Sequence, residues 1–143
     1  MIRASIYDAN GAIIAVGLYP NAETLALNVP AGGGWIEGHV NPNSVYVADG
    51  NVVVRPDRPT ACHVWDWSAL TWVEDAGATA SVWSALRAER DRRLDASDKY
   101  TAPDYPQTDE QRIARLAYRQ DLRDLPENTV DPCNPDWPEL PSQ

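Results

Sequence analysis

The sequence predicts an α+β chain: a small antiparallel β domain, then an α-helical hairpin, then an extended Pro-rich tail. Three observations predict it. Residues 1–75 alternate apolar and polar positions between turn dipeptides, the pattern of half-buried strands. Residues 81–125 change to helical spacing with dense charge. After Leu125 come Pro126, Pro132, Pro135, Pro138 and Pro141, which favour extended or polyproline backbone. Charge density changes at the same boundary. Residues 1–75 hold three basic and eight acidic side chains, and residues 76–143 hold nine and thirteen.

The elements follow in order. Ile2–Tyr7 and Ala12–Leu18 flank Asp8-Ala9-Asn10-Gly11, where Asn-Gly tolerates the positive φ of a tight hairpin. Glu23–Val29 places Leu25, Leu27 and Val29 at alternate positions and favours a strand, with a helical turn capped by Asn21 as the alternative. Gly32-Gly33-Gly34 breaks the chain before a short strand from Trp35 to Val40. Val45–Ala48 and Asn51–Arg55 flank Asp49-Gly50 and are the clearest hairpin in the sequence. Cys62–Trp67 and Thr71–Glu74 form the last one, with Trp65 and Trp67 on one face and Trp72 across from them. Trp35, Trp65, Trp67 and Trp72 read mainly as core, with one or two expected at an interface.

Residues 76–80 read as a small-residue linker between the 1–75 module and an 81–125 helical hairpin, with 126–143 as the tail. Ser81 reads as the N-cap of a helix to about Ala96 carrying Val82, Trp83, Leu86 and Leu94. Glu89/Arg93 and Arg87/Asp91 are spaced for exposed ion pairs. Thr108-Asp109-Glu110-Gln111 is a capping box opening a second helix, with Ile113, Leu116, Ala117, Leu122 and Leu125 as apolar contacts and Pro126 as its stop. Two such narrow stripes bury little surface, so the helices are expected to dock the tail through Trp137, or to dock on another chain.

Composition narrows the function. There is no Phe against six Trp and six Tyr, and the net charge is −9. Phosphate binding needs cationic contacts, so this balance argues against nucleic acid. No apolar run approaches the roughly 20 residues of a membrane span, and the N-terminus has no signal-peptide core. Synthesis in a cytoplasm is expected. Cys62 and Cys133 are far apart in sequence, and free thiols are the preferred reading over a disulfide. His39, Cys62, His63 and Cys133 match no zinc-site spacing, so no metal and no cofactor is expected. Asp91, Asp95, Asp98 and Asp104 are interleaved with Arg92, Arg93 and Lys99, which suits ion pairing better than calcium or glycoside chemistry. No nucleophile–base pair stands out, and an enzyme is not expected.

The most specific stretch is Trp83-Ser84-Ala85-Leu86-Arg87-Ala88-Glu89-Arg90-Asp91-Arg92-Arg93-Leu94, then Asp98, then Tyr118-Arg119-Gln120-Asp121-Leu122-Arg123-Asp124-Leu125-Pro126, then Trp137-Pro138. From Trp83 to Pro141 the chain resembles the phage tail assembly chaperone proteins. A looser resemblance, carried by Trp35-Ile36-Glu37-Gly38 and by Tyr46 to Pro56 around Asp49-Gly50, links the N-terminal part to β modules that open many phage tail and tail-fibre-associated proteins. The resemblance implies a non-enzymatic tail protein, binding a tail-fibre or tail-tip partner, as an assembly chaperone and/or a component retained in the virion tail. Oligomerisation within the tail stays open, as does a receptor- or glycan-binding role at the fibre tip. Expected partner-binding residues are Trp83, Tyr118, Arg119, Arg123 and Trp137. Arg119 and Arg123, one turn apart, read either as a solvated helix face or as an arginine patch for a partner's carboxylates.

Overall fold

The computed structural model describes residues 1–142 and is α+β, with small antiparallel sheets and helices. The chain divides into two compact units. Unit 1 comprises residues 1–59 and 65–73, and unit 2 comprises 60–64 and the chain from Glu74 onward.

Unit 1 is built on β1 (Ile2–Tyr7), β2 (Ile13–Tyr19) and β3 (Gly34–Glu37), in the order β2-β1-β3. Ala4 pairs with Gly17 on one side and Glu37 on the other, and a register shift falls between Ile6 and Tyr7. The β1–β2 turn is held by Asp8, whose Oδ1 accepts from the backbone of Asn10 and Ala12. Ala4, Ile6 and Leu25 form the core, with Ile2, Tyr19 and Val29 packed against them. Burying a side chain such as Leu25 contributes about 1.5–3 kcal/mol. On the opposite sheet face Ser5 is fully buried. Its Oγ donates to Gly38 O at 2.8 Å and accepts from Val40 N at 3.1 Å.

Leu25 belongs to a helix, so the strand expected over Glu23–Val29 is corrected. α1 spans Ala22–Ala26, and Asn21 Oδ1 accepts from Thr24 N. The alternation of Leu25, Leu27 and Val29 misleads because only Leu25 is buried, while Leu27 is 87% exposed. β4 (Val45–Ala48) and β5 (Asn51–Val54) pair through Asp49 and Gly50, both at positive φ as the short turn requires. Gly11, also at positive φ, lies against the Val47 carbonyl with no room for a Cβ, and Val47 N donates to Gly11 O at 2.9 Å.

β6 (His63–Asp66) and β7 (Thr71–Glu74) form the last hairpin. Asp66 braces its turn, accepting from Ser68 Oγ, Ser68 N and Ala69 N, and these bonds lower its pKa. Trp65, Trp67 and Trp72 are half-buried and meet edge to face, with the Arg55 guanidinium 4.8 and 4.9 Å from the rings of Trp65 and Trp67. Trp35 does not join a core: it is 41% exposed.

Unit 2 carries α2 (Ala76–Ser97), a 3-10 turn (Asp98–Thr101) and α3 (Asp109–Asn128). The helix begins five residues before the expected Ser81, so residues 76–80 are helix and not linker. Asp75 is the cap: its Oδ1 accepts from Ala78 N at 2.7 Å, and the following small residues are free to be helical. Thr108 and Gln111 form the capping box of α3. Pro126 lies inside α3 rather than ending it, because the last turn extends to Asn128 and Thr129 closes it on Leu125 O. α2 and α3 pack on one another. The chain beyond Thr129 forms neither helix nor strand over the described residues.

The expected free thiols are instead a disulfide, Cys62–Cys133, with Cα atoms 6.7 Å apart. The backbone after α3 returns to the segment before β6. Partners 71 residues apart share no local pattern that could announce this.

Candidate functional site

α3 presents two faces. Arg115, Tyr118, Arg119, Leu122 and Leu125 recur at helical spacing and are all buried. Ile113, Leu116, Gln120 and Arg123 recur at i, i+3, i+7 and i+10, within roughly 80° of arc, and all are exposed. Ile113 and Leu116 are 68% and 49% exposed, which corrects their assignment as internal contacts; Ala117 is exposed too.

Arg119 therefore differs from Arg123. Its Nη1 donates to Leu94 O at 2.7 Å and Ser97 Oγ at 2.6 Å, and its Nη2 donates to Asp98 Oδ1 at 2.6 Å. It sits at the C-terminal end of α2, where unpaired carbonyls and the helix dipole favour a cation. Only 7% exposed, Arg119 is occupied within its own unit, so neither alternative for the Arg119/Arg123 pair, a solvated helix face or an arginine patch, describes it. Arg115 does a related job beside it. Its guanidinium lies 4.2 Å from the Tyr100 ring and donates to Gln107 Oε1, while Gln107 Nε2 donates to Tyr100 O. The two arginines fasten α3 to the end of α2 and the 3-10 turn. Tyr118 is likewise buried, which corrects its expected place at a partner surface.

Trp83 and Trp137 are half-buried and each carries an arginine on its ring. Arg87 lies 5.4 Å from the Trp83 centroid, and Arg93 lies 4.1 Å from that of Trp137. Asp91 pairs with its neighbour Arg90 instead of the expected Arg87. Glu89 orients the Arg93 contact: its carboxylate accepts two bonds from Arg92 and one from Arg93 Nε. Those bonds, Arg92's first, lower the Glu89 pKa to about 2. The Trp137 ring thus reaches α2 through a Glu89–Arg93 chain. Trp137 also borders a cleft of about 580 Å³, with Asp121, Leu125, Val130, Asp131 and Asp136 among its lining.

Of the five residues expected to bind a partner, Arg123 is exposed, Trp83 and Trp137 are partly accessible, and Tyr118 and Arg119 are internal. The outward pair Ile113 and Leu116 was missed, although helical phase carried the signal. They lie about 180° and about 120° around the helix from Leu122, which is fully buried. The groups on offer are ring faces, a cation and apolar side chains, the chemistry of non-covalent recognition.

Residues 83–142 match the family described as phage tail assembly chaperone protein, and this supports a role in phage tail assembly. The match covers under half of the chain and does not reach the N-terminal β module. No curated protein and no solved structure matches the chain significantly.

Proposed function

We propose that this chain is a non-enzymatic bacteriophage tail protein, made in the host cytoplasm, that binds a tail-fibre or tail-tip partner. It acts as an assembly chaperone and/or remains in the virion tail. One observation carries the reading: the family match, 83–142, falls wholly inside unit 2, which holds the α2–α3 pair and the segment anchored by Trp137. With Arg119 committed internally, the contact surface is the outward stripe of α3. Ile113 and Leu116 supply apolar area and Arg123 a cation, with Trp83 and Trp137 as aromatic anchors.

The test is copurification with the fibre or tail-tip protein encoded beside this gene. Leu116→Asp combined with Arg123→Glu should abolish it while leaving the melting temperature close to wild type. Undiminished copurification would move the contact off α3. A second reading, receptor or glycan binding at the fibre tip, rests on the exposed ring of Trp35. Glycan-array binding by the isolated protein, lost in Trp35→Ala, would favour it.

A further inference from the structure

The fold brings Asp131 to the cysteine pair. One ligand atom each from Cys62, Asp131 and Cys133 lie within 4.8 Å of one another. The carboxylate is held in place: Oδ1 accepts from Cys133 N at 2.9 Å and Oδ2 from Asn134 Nδ2 at 2.7 Å. Cys62 is buried. Beside the group lies a concavity of about 280 Å³ whose lining includes Thr60, Glu74 and Thr79, with room for a fourth donor. His39 has no part in it, since its ring bonds Gly17 O in unit 1.

We propose that Cys62, Cys133 and Asp131 form a thiol-gated zinc site: a disulfide when oxidised, and a two-thiolate, one-carboxylate site for a single Zn²⁺ when reduced. Exchange with a dithiol reductant breaks the S–S bond, leaves the reductant as its own disulfide and gives two thiols here. Zinc then displaces the two thiol protons and is bound by both thiolates and the carboxylate. Tetrahedral zinc with Zn–S near 2.3 Å and Zn–O near 2.1 Å sets its donors roughly 3.5–3.8 Å apart. The sulfurs move apart to that spacing once the S–S bond is broken, and the carboxylate, within 4.8 Å of them, has to close by no more than about 1.2 Å. A water in the concavity completes four-coordination. The sequence offered no such set because Asp131 was not among its candidate ligands. The consequence is structural. Cytosolic reductants open ordinary disulfides, whereas this cluster keeps the segment around Cys133 tied to residues 60–64 in both redox states.

The full-length chain, reduced with a non-chelating phosphine without oxygen, is mixed with Zn²⁺ alone, desalted and analysed for metal. Reduced protein should retain one zinc per chain and oxidised protein none. Co²⁺ in place of zinc should give thiolate-to-cobalt charge-transfer absorption. Cys133→Ser should lose stoichiometric binding, and Asp131→Asn, which removes a direct ligand, should weaken binding by at least about 10–100-fold, the loss that even an outer-shell partner produces. Reduced wild type without stoichiometric zinc overturns the proposal. Equal binding by oxidised protein, by Cys133→Ser or by Asp131→Asn overturns it as well.

Discussion

Replacing Arg119 by Ala isolates the interaction that most distinguishes this structure from an amphipathic helix pair. The guanidinium makes two hydrogen bonds to groups at the end of α2, Leu94 O and the buried Ser97 Oγ. Bonds of this charge-assisted kind contribute about 1.5–3 kcal/mol each at most. Leu94 O keeps a second donor, Ser97 Oγ at 2.8 Å, so it is not orphaned and the lower end applies. The Asp98 partner has a 63% exposed side chain, and that ion pair adds no more than about 1 kcal/mol. The sum is about 3–4 kcal/mol, or a urea midpoint lowered by roughly 1.5–2 M at a slope of about 2 kcal/mol/M. Arg123→Ala, on the exposed face, should stay within about 0.5 kcal/mol. Arg119→Lys should fall between, because an ammonium cannot reproduce the planar fork. The assay is urea denaturation of oxidised protein followed by helical circular dichroism. Equal midpoints for Arg119→Ala and Arg123→Ala would refute the reasoning.

Other consequences are as direct. Reducing the disulfide in the presence of a metal chelator should lower stability by about 4 kcal/mol, the chain-entropy value for a loop of this length, measured by melting with and without reductant. Leu122→Ala should cost about 2–5 kcal/mol, since Leu122 is fully buried; a smaller change would place the core of unit 2 elsewhere. Glu89 should titrate in carbon-13 NMR near pH 2. Its folded pKa is depressed, so its contribution is complete above the ordinary carboxylate pKa of 4.5 and is lost as pH falls from there through about 2. Tryptophan fluorescence should change near pH 2, where protonation of Glu89 in the folded protein releases Arg93 beside Trp137.

Elements with a local chemical signature were legible in the sequence. Asp49-Gly50 could be read because that turn requires positive φ, and Thr108–Gln111 because both halves of its capping box lie within four residues. Small-residue segments were not. Ala76–Ala80 looks like a linker until Asp75 is seen capping it, and α1 hides behind an alternation of which one member is buried. Pro126 did not stop α3, whose last turn is closed by Thr129 N and Oγ1 on Leu125 O. For the candidate site, Trp137 stands out in the sequence, but its Arg93 contact is visible only in the packing. Arg119 was not separated from Arg123, because charge was weighed ahead of helical phase: Arg119 lies with Tyr118 and Leu122, Arg123 with Leu116. The cysteine pair depended on how the chain after α3 returns, which is tertiary information.

Deleting the gene from the phage asks whether tails assemble without this chain. The particles produced would be imaged by electron microscopy and their tail and fibre proteins quantified by mass spectrometry. The account predicts particles with missing or incomplete tails or fibres, restored by wild-type protein supplied in trans and not by the Leu116→Asp, Arg123→Glu variant. Infectious particles with a full complement of tail and fibre proteins, made in the absence of this chain, would contradict it.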